Sequence, residues 1–217
     1  MKDIFRDFIK EAKAIRLKEP LTETLGAFST EDAVVEYTFA EAVKMAGHAC
    51  PTVTGAYLSC RKALEALYPD EEVPVRGEIA VTVYGNPEEG VYGVMAQVFS
   101  FFTGAAPATG FKGLGHKFKR KDLLRFDPEK IDPQAMCFEF KRLDNGNSVL
   151  VKFYPQQVPF PTEKGRRLGE LMEKVLWEAA RKEEKEEFQE LWTAKVKGML
   201  IEEKEIENWL KIEERRN

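Results

Sequence analysis

The sequence holds only two histidines, His48 and His116, and three cysteines, Cys50, Cys60 and Cys137. His48 and Cys50 fall together in Gly47-His48-Ala49-Cys50-Pro51, between two predicted helices. Proline suits the first position of a helix, so Pro51 puts Cys50 at the N-cap. Unpaired N–H groups and the helix dipole favour negative charge there, which activates a thiol. An imidazole two residues earlier can share one ion with that sulfur, and both are good ligands for zinc, nickel or copper. His116 lies in Gly113-Leu114-Gly115-His116-Lys117, where the glycines allow close backbone approach. Both histidines and Cys50 flank the same predicted helix pair. His48, Cys50 and His116 are therefore candidate metal ligands. Three protein ligands and a fourth position open to water or substrate form the catalytic-zinc arrangement. Zinc is the first choice and nickel the second. Thr54, Tyr57, Gln97 and Lys117 are candidate contacts to those ligands or to a substrate. Two rival readings use the same residues: a metal-free Cys50 thiolate nucleophile with a nearby histidine, and haem bound through Cys50-Pro51 with His48 close by.

Other chemistry is thinner. Cys60 on an apolar helix face and Cys137 in an alternating strand read as small buried hydrophobes. Three cysteines exclude a disulfide framework and fit a reducing, cytoplasmic setting. Lys112, Lys117, Lys119, Arg120 and Lys121 form a basic cluster, read first as a solvated loop and second as a rim guiding a small anionic ligand. There is no G-x-S-x-G elbow, no phosphate-binding loop and no dinucleotide fingerprint. With 33 basic and 37 acidic side chains the formal charge is −4, which argues against nucleic acid or an anionic membrane as partner. Val91 to Phe111 carries no charge, but Gln97, Thr103, Gly104, Pro107 and Gly110 break it as a membrane span. The start of the sequence, Met1 to Asp7, lacks the apolar stretch of a signal peptide.

The elements that must position these groups follow from periodicity. Ile4, Phe5, Phe8, Ile9, Ala12 and Ile15 predict an amphipathic helix ending before Pro20. Val34, Val35 and Tyr37 suggest a short strand. Thr38 with Glu41 three residues on makes a capping box for a helix that stops near Gly47. A second helix runs from Pro51 to about Tyr68. Gly77 to Tyr84 reads as a strand, Val91 to Thr103 as a buried helix, and Leu123 to Phe126 as a short strand. Met136 to Leu143 and Ser148 to Tyr154 alternate around Asn145-Gly146, a strong hairpin signal. Three prolines between Pro155 and Pro161 mark a change of composition. Beyond them half of residues 162–217 are charged, which predicts two or three helices. Trp192, Ile206, Trp209 and Leu210 there require a partner surface, either the core or a second copy of the chain. The heavy use of Glu and Lys hints at a thermophile.

The stretch from Phe39 to Pro51, ending Gly47-His48-Ala49-Cys50-Pro51 and followed by Gly55-Ala56, resembles the FmdE family. These are the FmdE components of formylmethanofuran dehydrogenase and their stand-alone relatives. Ala96-Gln97 with Thr103-Gly104 and Gly110 is a weaker match, and the resemblance spans roughly residues 33–155. Thr52 stands where the family has glycine, and Val94 and Ala105-Ala106 stand where members often carry cysteines. The family's cysteine-rich C-terminal module is replaced by the charged helices. The resemblance implies an α+β domain, with a helix pair packed on a mixed or antiparallel sheet, and metal held at His48 and Cys50. It also implies dimerisation, while His116 would stand in for a lost cysteine ligand. The expected organisation is an N-terminal helix and loop over 1–32, the α+β domain over 33–160 and a helical extension over 161–217. The expected function is that of an FmdE-like metal-binding protein, whether a homodimer or a component of an oxidoreductase. The alternative is an interaction module docked through its C-terminal helices.

Overall fold

The computed structural model describes residues 6–27, 32–70, 72–115 and 117–215. Its fold is α+β, with a mixed five-stranded sheet, a separate two-stranded sheet and several helices. The chain runs α1 (Asp7–Glu11), β1 (Ile15–Lys18), α2 (Pro20–Leu25), β2 (Val34–Tyr37), α3 (Phe39–Ala46), α4 (Pro51–Leu67), β3 (Ile79–Tyr84), α5 (Tyr92–Thr103) and β4 (Leu124–Phe126). It continues with β5 (Met136–Arg142), β6 (Ser148–Phe153), α6 (Thr162–Leu176), α7 (Lys182–Lys197), α8 (Ile206–Trp209) and β7 (Leu210–Arg215). Among the described residues no helix is long and apolar enough to cross a membrane.

The large sheet has the order β4-β3-β5-β6-β7. β3 and β4 run parallel, and the other neighbours are antiparallel. Register puts Val81 opposite Phe140, Val83 opposite Phe138, and Phe138 opposite Val151. One apolar face results, and α4 and α5 pack on it side by side. Gly55 permits the close approach of α4, since a Cβ there would lie 2.6 Å from the Phe153 ring. Phe99 of α5 meets Phe138 and Phe140 edge-on at 4.8 and 5.1 Å between centroids. Each such fully buried aromatic contributes roughly 1.5–3 kcal/mol by leaving water.

Two elements differ from the periodicity reading. The N-terminal apolar repeat does not continue as one helix to Pro20. α1 ends at Glu11, and Ile15 to Lys18 form β1, paired antiparallel with β2. Ile15 and Leu17 are buried while Arg16 and Lys18 are exposed, so the period there is two. The C-terminal extension is not only helical: β7 adds to β6, with Leu210 opposite Phe153 and Ile212 opposite Val151. Trp192, Ile206, Trp209 and Leu210 pack on the core of their own chain. Glu203 reaches the buried Arg61 of α4, which ties the extension to the central helix.

Candidate functional site

The turn between α3 and α4 is held peptide by peptide. Glu41 receives the Thr38 N–H at 2.7 Å and completes the capping box that starts α3. Gly47 ends it, with φ 77 and its N–H on Val43 O. That left-handed conformation explains the glycine. His48 is exposed, and its Nδ1 lies 2.9 Å from Ala46 O. The carbonyl accepts only, so Nδ1 carries the proton in this contact, and Nε2 is the ring nitrogen left for another partner. The Ala49 carbonyl accepts from Trp192 Nε1 at 2.9 Å, which anchors the turn to α7. Cys50 caps α4: its sulfur accepts the Val53 N–H at 3.4 Å, and its carbonyl accepts from Thr54 N at 2.9 Å and Thr54 Oγ1 at 2.8 Å. Cys50 is 8% exposed, so only an edge of the residue reaches solvent.

The remaining predicted residues spread out. Thr54 is fully buried and spends its hydroxyl on Cys50. Tyr57 is buried between Phe39 and Phe102 and donates to Lys13 O at 2.6 Å; burial pushes its phenol well up. Gln97 is exposed on α5, and Lys117 is exposed on the glycine-rich loop. His116 lies outside the described residues. Among the described residues there is no group of three or more His, Cys, Asp or Glu side chains placed to hold a metal ion. Cys60 and Cys137 are buried thiols pushed up by burial, Cys137 to about 11.

A second polar centre was not expected from the sequence. Arg76 donates from Nη1 to Glu19 at 2.9 Å, from Nε to Phe102 O at 3.0 Å and from Nη2 to Phe101 O at 2.7 Å. It thereby caps the C-terminal end of α5, where cations are favoured. Glu19 also receives the Tyr37 hydroxyl, and burial together with that bond pushes the phenol up. Beside Arg76 lies Arg120, which separates from its basic cluster. Lys112, Lys117 and Lys119 are exposed, while Arg120 is half-buried over the Phe111 ring at 3.9 Å. The solvated-loop reading therefore fails for Arg120, because Phe111 and two glycines cover its stem. A Cβ on Gly77 would lie 2.9 Å from Arg120 Cγ, and one on Gly104 would lie 3.1 Å from its Cδ. The two arginines divide two clefts. One, of about 830 Å³, includes Glu19, Glu78, Lys117, Lys119 and Asp144 in its walls. The other, of about 620 Å³, is walled mainly by Met45, Phe101, Phe111 and Phe126, with Gln97 and Ser100. The signal that could have revealed this centre is Phe111 preceding a basic run between glycines, a run that reads as a solvated loop or an anion-guiding rim and not as the seat of a single cation.

No protein-family model matches the chain, and no curated protein matches it.

Proposed function

We propose that the chain is an FmdE-like metal-binding protein whose ion is held by His48 and Cys50, with His116 as the third ligand. The observation that carries this reading is the His48 Nδ1 contact to Ala46 O at 2.9 Å on an exposed ring. Metal-binding histidines commonly donate the other ring N–H to a carbonyl, which fixes both tautomer and ring orientation. Two residues on, the Cys50 sulfur sits at the start of α4 and accepts a backbone N–H, a contact that favours a metal-bound thiolate. Imidazole and thiolate donors suit zinc first and nickel second. A bound zinc would supply Lewis acidity or an activated water at its open position. The chain's own residues do the positioning. Ala46 orients the imidazole, Val53 holds the sulfur, and Trp192 fixes the peptide between them.

The test is elemental analysis of untagged protein after reconstitution with zinc and dialysis. Stoichiometric zinc is expected in the natural chain, with loss in His48→Ala and Cys50→Ser. Less than about a tenth of an equivalent of any transition metal would overturn the proposal, since a specific site binds in whole equivalents.

A further inference from the structure

The buried and half-buried arginines of this protein follow a pattern that Arg120 breaks. Arg61 pairs with Glu203, and Arg76 pairs with Glu19. Arg142 stacks on Tyr68 at 4.0 Å and is bound by Glu72 at 2.7 and 2.8 Å and by Asp144 at 2.6 and 3.0 Å. Arg120 makes the same stacking contact with Phe111, yet among the described residues no carboxylate or carbonyl accepts from its guanidinium. Burial and then the like charge of Arg76 hold its pKa below the usual arginine value. Among the described residues Arg120 is thus a partly desolvated cation with no acceptor of its own: the nearby Glu19 attracts it but is already bound by Arg76 and Tyr37, an arrangement that costs stability unless a ligand completes it.

The seat of this cation is built. The Arg120 N–H donates to Phe111 O at 3.0 Å, and its carbonyl accepts from Ala106 N at 3.0 Å. Gly77 and Gly104 both have positive φ, at 90 and 75, and leave room for its stem. Among the described residues, Arg76 and Arg120 are the only charged groups lining the 620 Å³ cleft. Glu19, Glu78 and Asp144 line the other cleft, where Arg76 and Tyr37 engage Glu19 and Arg142 engages Asp144. Arg76 already donates from all three of its nitrogens and is neutralised by Glu19, which leaves one net positive charge for a ligand in the apolar cleft.

We propose that this cleft binds a small organic monocarboxylate, with its carboxylate on Arg120 and its apolar body against Phe101, Phe111 and Phe126. A planar guanidinium matches a carboxylate with two parallel hydrogen bonds, and one free charge suits a monoanion better than a phosphate dianion. Mainly apolar walls with a few convergent polar groups are the usual make-up of a small-molecule site. Such binding needs no metal at the α3–α4 turn.

The test is an NMR titration of the full chain with benzoate, benzamide and inorganic phosphate, with chelator present. Benzoate is expected to shift the amides of Phe101, Gly104 and Phe111 saturably, and benzamide is not. Arg120→Met should weaken benzoate by about tenfold or more, the value of a charged hydrogen bond. Lys112→Met should leave it unchanged. If Arg120→Met does not fold, Arg120→Lys decides, with weakening expected from loss of the bidentate pair. The proposal is overturned by absence of saturable benzoate shifts, by unchanged affinity in the folded Arg120 variant, or by phosphate binding more tightly than benzoate at the same amides.

Discussion

Among the described residues, the α3–α4 turn leaves His48 Nε2 without a protein partner and the Arg76–Arg120 cleft leaves the Arg120 guanidinium without an acceptor. They reach that condition differently. The turn is made by neighbours in sequence: Ala46, Gly47, His48, Cys50, Val53 and Thr54 satisfy one another, and only Trp192 comes from afar. The cleft is made by residues from α3, the approach to β3, α5, the glycine-rich loop and β4. A local device survives changes elsewhere and depends on backbone conformation. A dispersed one depends on the packing of the whole domain. Each can therefore be struck without touching the other.

The largest separation should come from Arg76→Met. It takes the cationic partner from Glu19, which keeps only the Tyr37 hydroxyl, and leaves the Phe101 and Phe102 carbonyls without their donor. Losing one partner of a partly buried ion pair and its attached hydrogen bonds costs on the order of 2–4 kcal/mol. Chemical denaturation should show that drop, while zinc content stays at the level of the natural chain. Loss of zinc in folded Arg76→Met would break the separation.

A smaller effect is expected at Cys50. Cys50→Ala removes the cap of α4 and should destabilise by about 1 kcal/mol, whereas Cys50→Ser keeps an acceptor and recovers most of it. Both should lose zinc, so stability and metal binding part company in the serine variant. Equal stability of the alanine and natural proteins would show that the sulfur contact to Val53 contributes nothing.

An effect no larger than that of Arg76→Met, and comparable to that of Cys50→Ala, should come from Trp192→Phe. It keeps an aromatic ring but removes the donor to Ala49 O, worth about 0.5–1.5 kcal/mol. Zinc should bind more weakly because the peptide between its two ligands is less fixed, and benzoate affinity should not change. Benzoate weakening in this variant would mean that the two regions are coupled through the core.

The same contrast explains what could be read from the sequence. The capping box at Thr38 and Glu41, the stop at Gly47, the start at Pro51 and the Asn145-Gly146 hairpin are local signals, and each element stands where expected. β1 was hidden because Ile15 also fits a helical spacing from Phe8, and only pairing with β2 decides for a strand. β7 was hidden because Lys211, Glu213 and Glu214 look like the charged helices before them. The alternation of Leu210 and Ile212 has meaning only beside β6. Arg120 was grouped with its lysine neighbours because nothing within the run distinguishes it. Gly77 and Gly104, which make its seat, are 43 and 16 positions away by numbering. His48 and Cys50 were legible as neighbours, and a fold-dependent partner such as His116 is a proposal about distance that sequence cannot supply.

Titration of the reduced, untagged chain with cobalt(II) decides whether Cys50 and His48 hold a metal ion. A thiolate ligand gives an intense near-ultraviolet charge-transfer band. That band is expected in the natural chain, with displacement by zinc, absence in Cys50→Ser and a changed spectrum in His48→Ala. A chain that shows no such band, or the same band in Cys50→Ser, would contradict metal binding at the α3–α4 turn.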